Sequence, residues 1–135
     1  GGDMEDFLKL YDAAVAVLGK RQISSFINAG SVAAALLTDA GNVYAGVCIN
    51  TSSSMGLCAE RNAMANMITH GESIIRKIVA VEANGKVCMP CGVCREYMMQ
   101  LGLQGKDIEI LLDKDTMETI RLEELVPNWW GYSRY

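Results

Sequence analysis

"KVCMPCGVCREY", Lys86 to Tyr97, spaces three cysteines at intervals of three in a chain that holds five. A strand-like segment ends at Cys88, and Pro90, with no N–H to lose and a fixed φ, is suited to a helix start. The spacing predicts a helix from Cys91 to Leu101, with Gly102 at its boundary. Cys91 and Cys94 then lie one turn apart on one face, where unsatisfied backbone N–H groups favour thiolates. A second stretch of this kind is "GLCAERNA", in which Cys58 follows the turn-forming Gly56 and heads a helix that stops at His70-Gly71. Two helix starts headed by cysteine are what a metal pinched between helix N-termini requires.

Outward from these two heads the pattern alternates strands and helices. Met4 to Leu18 carries apolar residues at three- and four-residue steps and reads as an amphipathic helix. Ser31–Thr38 and Asn42–Ile49 form a hairpin through Asp39-Ala40-Gly41, apolar on both faces as in a sheet covered on both sides. Lys77–Ala83, Ile108–Leu112 and Glu118–Leu122 read as further strands, and Leu122–Val126 as a helical turn. The order α-β-β-α-β-α-β-β predicts an α/β fold, a mixed sheet with helices on both faces.

At 135 residues the chain is expected to be one domain, 1–135, with Gly1 to Asp3 ahead of Met4 expected to be a cloning remnant. The formal charge of −4, with no run of Lys or Arg, argues against a nucleic-acid partner. No apolar stretch reaches the ~18 residues of a membrane span, and no signal peptide is read, so no membrane partner is expected. An odd cysteine count without a secretory signal points to a reducing compartment, and the expected address is cytoplasmic.

Three chemistries compete for the cysteines. An iron–sulfur run of the ferredoxin type needs a fourth cysteine after Cys94, and position 98 is Met98. A thioredoxin-like pair in "CGVC" remains open but leaves Cys58 unexplained. A zinc tripod of Cys58, Cys91 and Cys94 explains all three and leaves a fourth corner open, as catalytic zinc sites do. Cys88 reads as a small buried hydrophobe.

Glu60, two residues past Cys58, is the candidate proton carrier, since a carboxylate beside an activated water can collect its proton and redeliver it. Positions i and i+2 do not face each other within a helix. Glu60 therefore works only if Cys58 is a non-helical cap and Glu60 points back from the first turn. Complementing the helix dipole is its plainer role.

"CAERNA" with "MPCGVC" resembles the cytidine deaminase superfamily, whose zinc-deaminase signature is a known pattern. The three-cysteine form is similar to the free-nucleoside branch, which holds cytidine deaminases and blasticidin S deaminases. The likeness runs from about Val32 to Pro127, through "VAAALLTDAGNVYAGV", "CREYM" and "LEELVP". It implies a three-layer α/β/α fold on a central mixed five-stranded sheet. It also implies Zn²⁺ on Cys58, Cys91 and Cys94, and hydrolytic deamination of a cytosine nucleoside or analogue to the uracil product and ammonia. By the same resemblance Glu60 is catalytic, the backbone of Ala59 contacts the base, and Arg61 and Arg95 offset the charge of three thiolates. A small nucleoside-like substrate and a homotetramer are implied as well.

The match breaks at the sugar. Where cytidine deaminases usually carry N-x-E-N, this chain has Cys48, Asn50 and Thr51 in the places of the three named residues. Asn50 and Ser52–Ser54 are therefore candidates for contacting a sugar-like or peptidyl appendage, or they form a polar surface loop. Gly30 stands in place of the family's pocket phenylalanine, with Phe26 nearby. Trp129 and Trp130 are expected at a subunit interface, and His70 at its helix end satisfying carbonyls. Two other functions stay in view. One is a non-catalytic zinc module with His70 or Cys88 as fourth ligand; the other is a deaminase of nucleic acid or of another amino-substituted heterocycle.

Overall fold

Along β2 (Asn28–Thr38), odd and even residues are buried in different cores, and this alternation sets the architecture. The computed structural model describes residues 2–135. Ala33, Ala35 and Leu37 face one side with Val79 and Val81 of β4 (Ile75–Glu82), where Phe7, Leu10 and Ala14 of α1 (Gly2–Val17) cover them. Ala34 and Leu36 face the other side with Ile78 and Ala80. There they pack under Met64 and Met67 of α2 (Ala59–Thr69) and Met98 and Met99 of α3 (Gly92–Gln100). A strand buried on both faces has no need of polar alternation, which is why these segments read as continuous apolar runs.

The sheet is mixed. β2 pairs antiparallel with β3 (Val43–Asn50) and with β4, and β4 pairs parallel with β6 (Glu109–Leu111). β7 (Thr119–Arg121) closes the far side before the short α4 (Leu122–Leu125). The helices lie on both faces, as expected, but the sheet has seven strands rather than five. The two extra strands, β1 (Arg21–Gln22) on β2 and β5 (Val87–Cys88) on β4, are two residues long. A segment that short has no periodicity to read. β2 also begins three residues before the expected Ser31, because Asn28 and Ala29 pair with β1 on one side and β3 on the other.

Gly2 and Asp3 stand in the first turn of α1, and Asp3 pairs with Lys77 at 2.9 Å. Lys77 is buried on β4 and takes a second carboxylate, Asp6, also at 2.9 Å. Burial opposes its charge, but the two aspartates overcome that and hold its pKa above the ordinary lysine value. Helix α1 is thereby tied to the sheet by charge as well as by Phe7 and Leu10.

Helix α2 is held against the edge strand β3 by close approach. A Cβ on Gly46 would stand 2.5 Å from the Ala63 nitrogen and 2.9 Å from the Asn62 carbonyl carbon. Asn62 Nδ2 then reaches the Val47 carbonyl at 3.0 Å. Gly46→Ala is expected to push α2 outward at a cost of about 1–3 kcal/mol, the ordinary penalty of overpacking. Urea denaturation measures this, and a change below about 0.5 kcal/mol would mean the contact is not that tight.

Candidate active site

Both cysteine-headed helices form as caps. Cys58 precedes α2 with φ −71° and ψ 156°, and Cys91 precedes α3 with φ −68° and ψ 170°. Neither side chain makes a capping hydrogen bond, so both sulfurs remain available. α3 begins at Gly92 rather than Cys91, which places Pro90 before the cap and not at the first helical position. Its rigid φ directs the chain into the cap. Cys58 is delivered by a two-way backbone bridge between Ile49 and Leu57, with both N···O distances 3.0 Å.

The Sγ atoms of Cys58, Cys91 and Cys94 lie within 4.8 Å of one another, the Cys58–Cys91 pair at 3.3 Å. Sulfurs on a tetrahedral zinc stand about 3.8 Å apart, given Zn–S bonds near ~2.3 Å, a separation within the 4.8 Å limit of the cluster. Burial pushes the Cys58 and Cys94 thiols up, with Cys91 adding to Cys58 and the negative charge of Glu60 to Cys94. Cys91 moves the other way. Burial works against its thiolate, but the Cys94 N–H, the neighbouring thiols and the Val93 N–H bring it below the ordinary value. Three sulfurs converging from two helix heads form a donor set that can hold a divalent cation among them. An all-sulfur donor set selects a soft or borderline ion, and the three thiols fit Zn²⁺.

Cys88 stays outside the cluster, paired in β5 with Ala80 and packed against the methionine-rich core. Burial, and then the charge of Glu60, pushes its thiol up to about 12, as suits a hydrophobic filler. His70 sits at the opposite end of α2, about 18 Å along the helix from Cys58 at ~1.5 Å per residue. Its Nδ1 bonds the Asn66 carbonyl at 2.8 Å. Neither residue reaches the three thiols, so neither serves as the fourth ligand of a closed zinc module.

Glu60 occupies the second position of α2 and is 5% exposed. Burial lifts its carboxyl above the usual carboxylate range, against the pull of its own backbone N–H and of Arg61. Ala59, the first helical residue, is fully buried beside it. Arg61 turns back on the cluster, with Nη2 3.9 Å from Cys58 Sγ, and that sulfur raises the guanidinium pKa further. Arg95 points elsewhere: Nε donates to the Pro90 carbonyl at 2.8 Å and Nη1 to the Leu125 carbonyl at 3.5 Å. It braces the turn that presents Cys91.

A cavity of about 330 Å³ opens beside Cys58, between the end of β3 and residues 51–57, and Cys48, Asn50 and Arg61 line it. Cys48 is buried there, its sulfur 3.2 Å from Ser31 Oγ and 3.3 Å from the Val32 nitrogen. Asn50 Nδ2 donates to Asn28 Oδ1 at 2.9 Å across the β2–β3 pair. Asn28 and Ser31 were not singled out in the sequence; only their cross-strand register with Asn50 and Cys48 reveals them. Gly30 cannot carry a pocket side chain, because a Cβ there would stand 2.0 Å from the Gly19 carbonyl oxygen at a φ of +90°. Phe26 is 71% exposed near the β1–β2 turn and does not fill the place. Trp129 is buried within its own chain, donating to Glu96, so of the tryptophan pair only Trp130 presents an exposed face.

Residues 5–107 match the family model described as the cytidine and deoxycytidylate deaminase zinc-binding region. A cytidine deaminase of Mycobacterium tuberculosis is 32% identical over 102 residues, 75% of this chain and 73% of that protein. The matched stretch of a relative from Dictyostelium discoideum, also 32% identical, covers 67% of this chain and 60% of that protein. Among solved structures, cytidine deaminase from Mycobacterium tuberculosis superposes with a TM-score of 0.76 at 30% identity, over 93% of this chain and 98% of its own. That from Mycobacterium leprae gives 0.74 at 26% identity, over 90% and 98%. With the thiol tripod, the layered fold and a match across most of its length, the chain belongs to the cytidine and deoxycytidylate deaminase family.

Proposed function

We propose that this chain hydrolyses the exocyclic C–N bond of a cytosine nucleoside or close analogue, giving the uracil compound and ammonia. The observation that carries this is the three-thiol cluster at two helix heads with the buried Glu60 two residues from Cys58. When bound, zinc would supply the Lewis acidity that makes water nucleophilic near neutral pH. Cys58, Cys91 and Cys94 would hold the ion, and Arg61 would offset part of their negative charge. Ala59, at the start of α2, offers backbone to the base edge. Glu60 accepts the water proton on its carboxylate and passes it to the ring nitrogen next to the attacked carbon. In a second transfer Glu60 moves the proton of the added hydroxyl to the amino nitrogen, so that the C–N bond breaks, ammonia leaves and the hydroxyl oxygen becomes the carbonyl of the uracil product. Its raised proton affinity suits a group that must both take and return a proton.

The working form we propose is a homotetramer in the cytoplasm. Cys91 and Val93 lie exposed at the head of α3, with Tyr97 and Trp130 exposed further along that face, an apolar run suited to burial against neighbouring copies. No described helix is long and apolar enough to cross a membrane.

Zinc-loaded protein is expected to release ammonia from at least one of cytidine, 2′-deoxycytidine, free cytosine and blasticidin S. Silence toward all four, with one zinc bound per chain, would leave a zinc protein and no deaminase of this class. In the same assay Cys88→Ala is expected to keep both its zinc and its turnover, because Cys88 is core and not ligand. Loss of zinc from that variant would mean that the tripod uses different thiols.

A further inference from the structure

Cys58 and Glu60 stand at the head of α2, while the cavity wall at Cys48 and Asn50 belongs to the end of β3. How the helix lies along that strand therefore decides where the proton carrier stands relative to anything the wall holds. Apolar burial is non-directional, and the α2 residues that supply it are either small, Ala59 and Ala63, or the adaptable Met64 and Met67. Polar contacts set the direction instead. The carbonyls of Ile49, Val47 and Ala45, at steps of two residues, accept in turn from the Leu57 N–H at 3.0 Å, Asn62 Nδ2 at 3.0 Å and Asn66 Nδ2 at 3.5 Å. Two residues of strand rise about 6.8 Å and four residues of helix about 6 Å, so the two amides stay in step with their two carbonyls. The Asn62 N–H also donates to the Cys58 carbonyl at 3.1 Å, so one residue ties the cysteine cap to the strand.

We infer that Asn62 is a positioning residue for the reaction: its amide, with Asn66 behind it, fixes the axis of α2 on β3 and so holds Glu60 and Cys58 in line with the cavity wall. The inference rests on the deaminase reading above. A single anchor, the Leu57–Ile49 bridge, is a pivot; a second anchor one turn into the helix determines direction. Without it the head of α2 tilts about the bridge, while β3 and its wall stay in place. Rate is steep in such geometry, and a misplacement of about 1 Å costs on the order of 10²-fold. Binding against an unmoved wall changes little, so the loss falls on kcat and not on KM.

The test compares Asn62→Leu, which keeps the size and removes the donor, with Phe7→Leu, a core change on the opposite face of the sheet. Both are zinc-loaded full chains, assayed where each is folded, on whichever of cytidine, 2′-deoxycytidine, free cytosine and blasticidin S the parent turns over best. Asn62→Leu is expected to lose about 10- to 100-fold in kcat with KM within about threefold of the parent. Phe7→Leu is expected to lower the melting temperature and leave kcat unchanged. Amide hydrogen exchange, read on the metal-free chains too, is expected to quicken at Ile49 and Leu57 in Asn62→Leu alone. Asn62→Asp, the same shape without the donor, takes the place of Asn62→Leu should that variant not fold. A kcat within about threefold of the parent, an equal fall in Phe7→Leu, a rise in KM alone, or unchanged exchange at the bridge overturns the inference and leaves the deaminase reading intact. Turnover of none of the four compounds by the parent removes that reading, and this inference with it.

Discussion

Glu60→Gln keeps its zinc and loses turnover by about 10²- to 10⁴-fold, the range that a positioned general acid–base contributes. The substitution preserves shape and removes only the ability to gain and lose a proton. Zinc content is expected to be unchanged, because the sulfurs of Cys58, Cys91 and Cys94 form the donor cluster and Glu60 is no part of it. Nor is stability expected to fall. A carboxyl whose pKa is raised by burial is destabilising in its charged form above its unfolded pKa, so replacing it by a neutral amide removes a cost. These three readouts separate the explanations. Lost turnover with zinc and melting temperature intact assigns Glu60 to proton transfer. Lost zinc would make it a ligand or a ligand's support, and turnover within about tenfold of the parent would move the proton to another group.

The parts of the fold that depend on local pattern were legible in the sequence. Long amphipathic and doubly buried segments announced α1, β2, β3 and β4, and glycine and cysteine marked the ends of α2 and α3. The convergence of three thiols was legible for the same reason: Cys91 and Cys94 are fixed by one turn of helix, and Cys58 by its own cap. What the sequence could not carry is register. Asn28 meets Asn50, and Ser31 meets Cys48, only because β2 pairs with β3 through an irregularity between Ala29 and Ala33. No spacing rule predicts such a bulge. Arg95 illustrates the same limit, since whether its guanidinium turns to a thiol or to the Pro90 carbonyl is decided by α4 packing nearby. The buried Lys77 was equally silent, a cation in a strand whose partners Asp3 and Asp6 lie some seventy residues earlier.

Cys94→Ser is expected to strip the zinc and abolish turnover together. Cys94 is fully buried in the first turn of α3, and the substitution replaces its thiolate donor by a hydroxyl, which is not among the usual protein ligands of zinc. Structural zinc sites bind with roughly 10–16 kcal/mol over four ligands, so one thiolate contributes on the order of 3–4 kcal/mol, or about 10²- to 10³-fold in affinity. The site also joins the heads of α2 and α3, and an ion that binds only the folded chain stabilises it in proportion to its excess over the dissociation constant. A chelator should therefore lower the melting temperature of the parent protein and of Cys88→Ala by similar amounts, and have little left to remove from Cys94→Ser. Equimolar zinc in Cys94→Ser after dialysis would mean that two thiols and another donor suffice. The tripod between two helix heads would then be an accident of packing, and the open coordination corner on which the chemistry depends would have to be sought elsewhere.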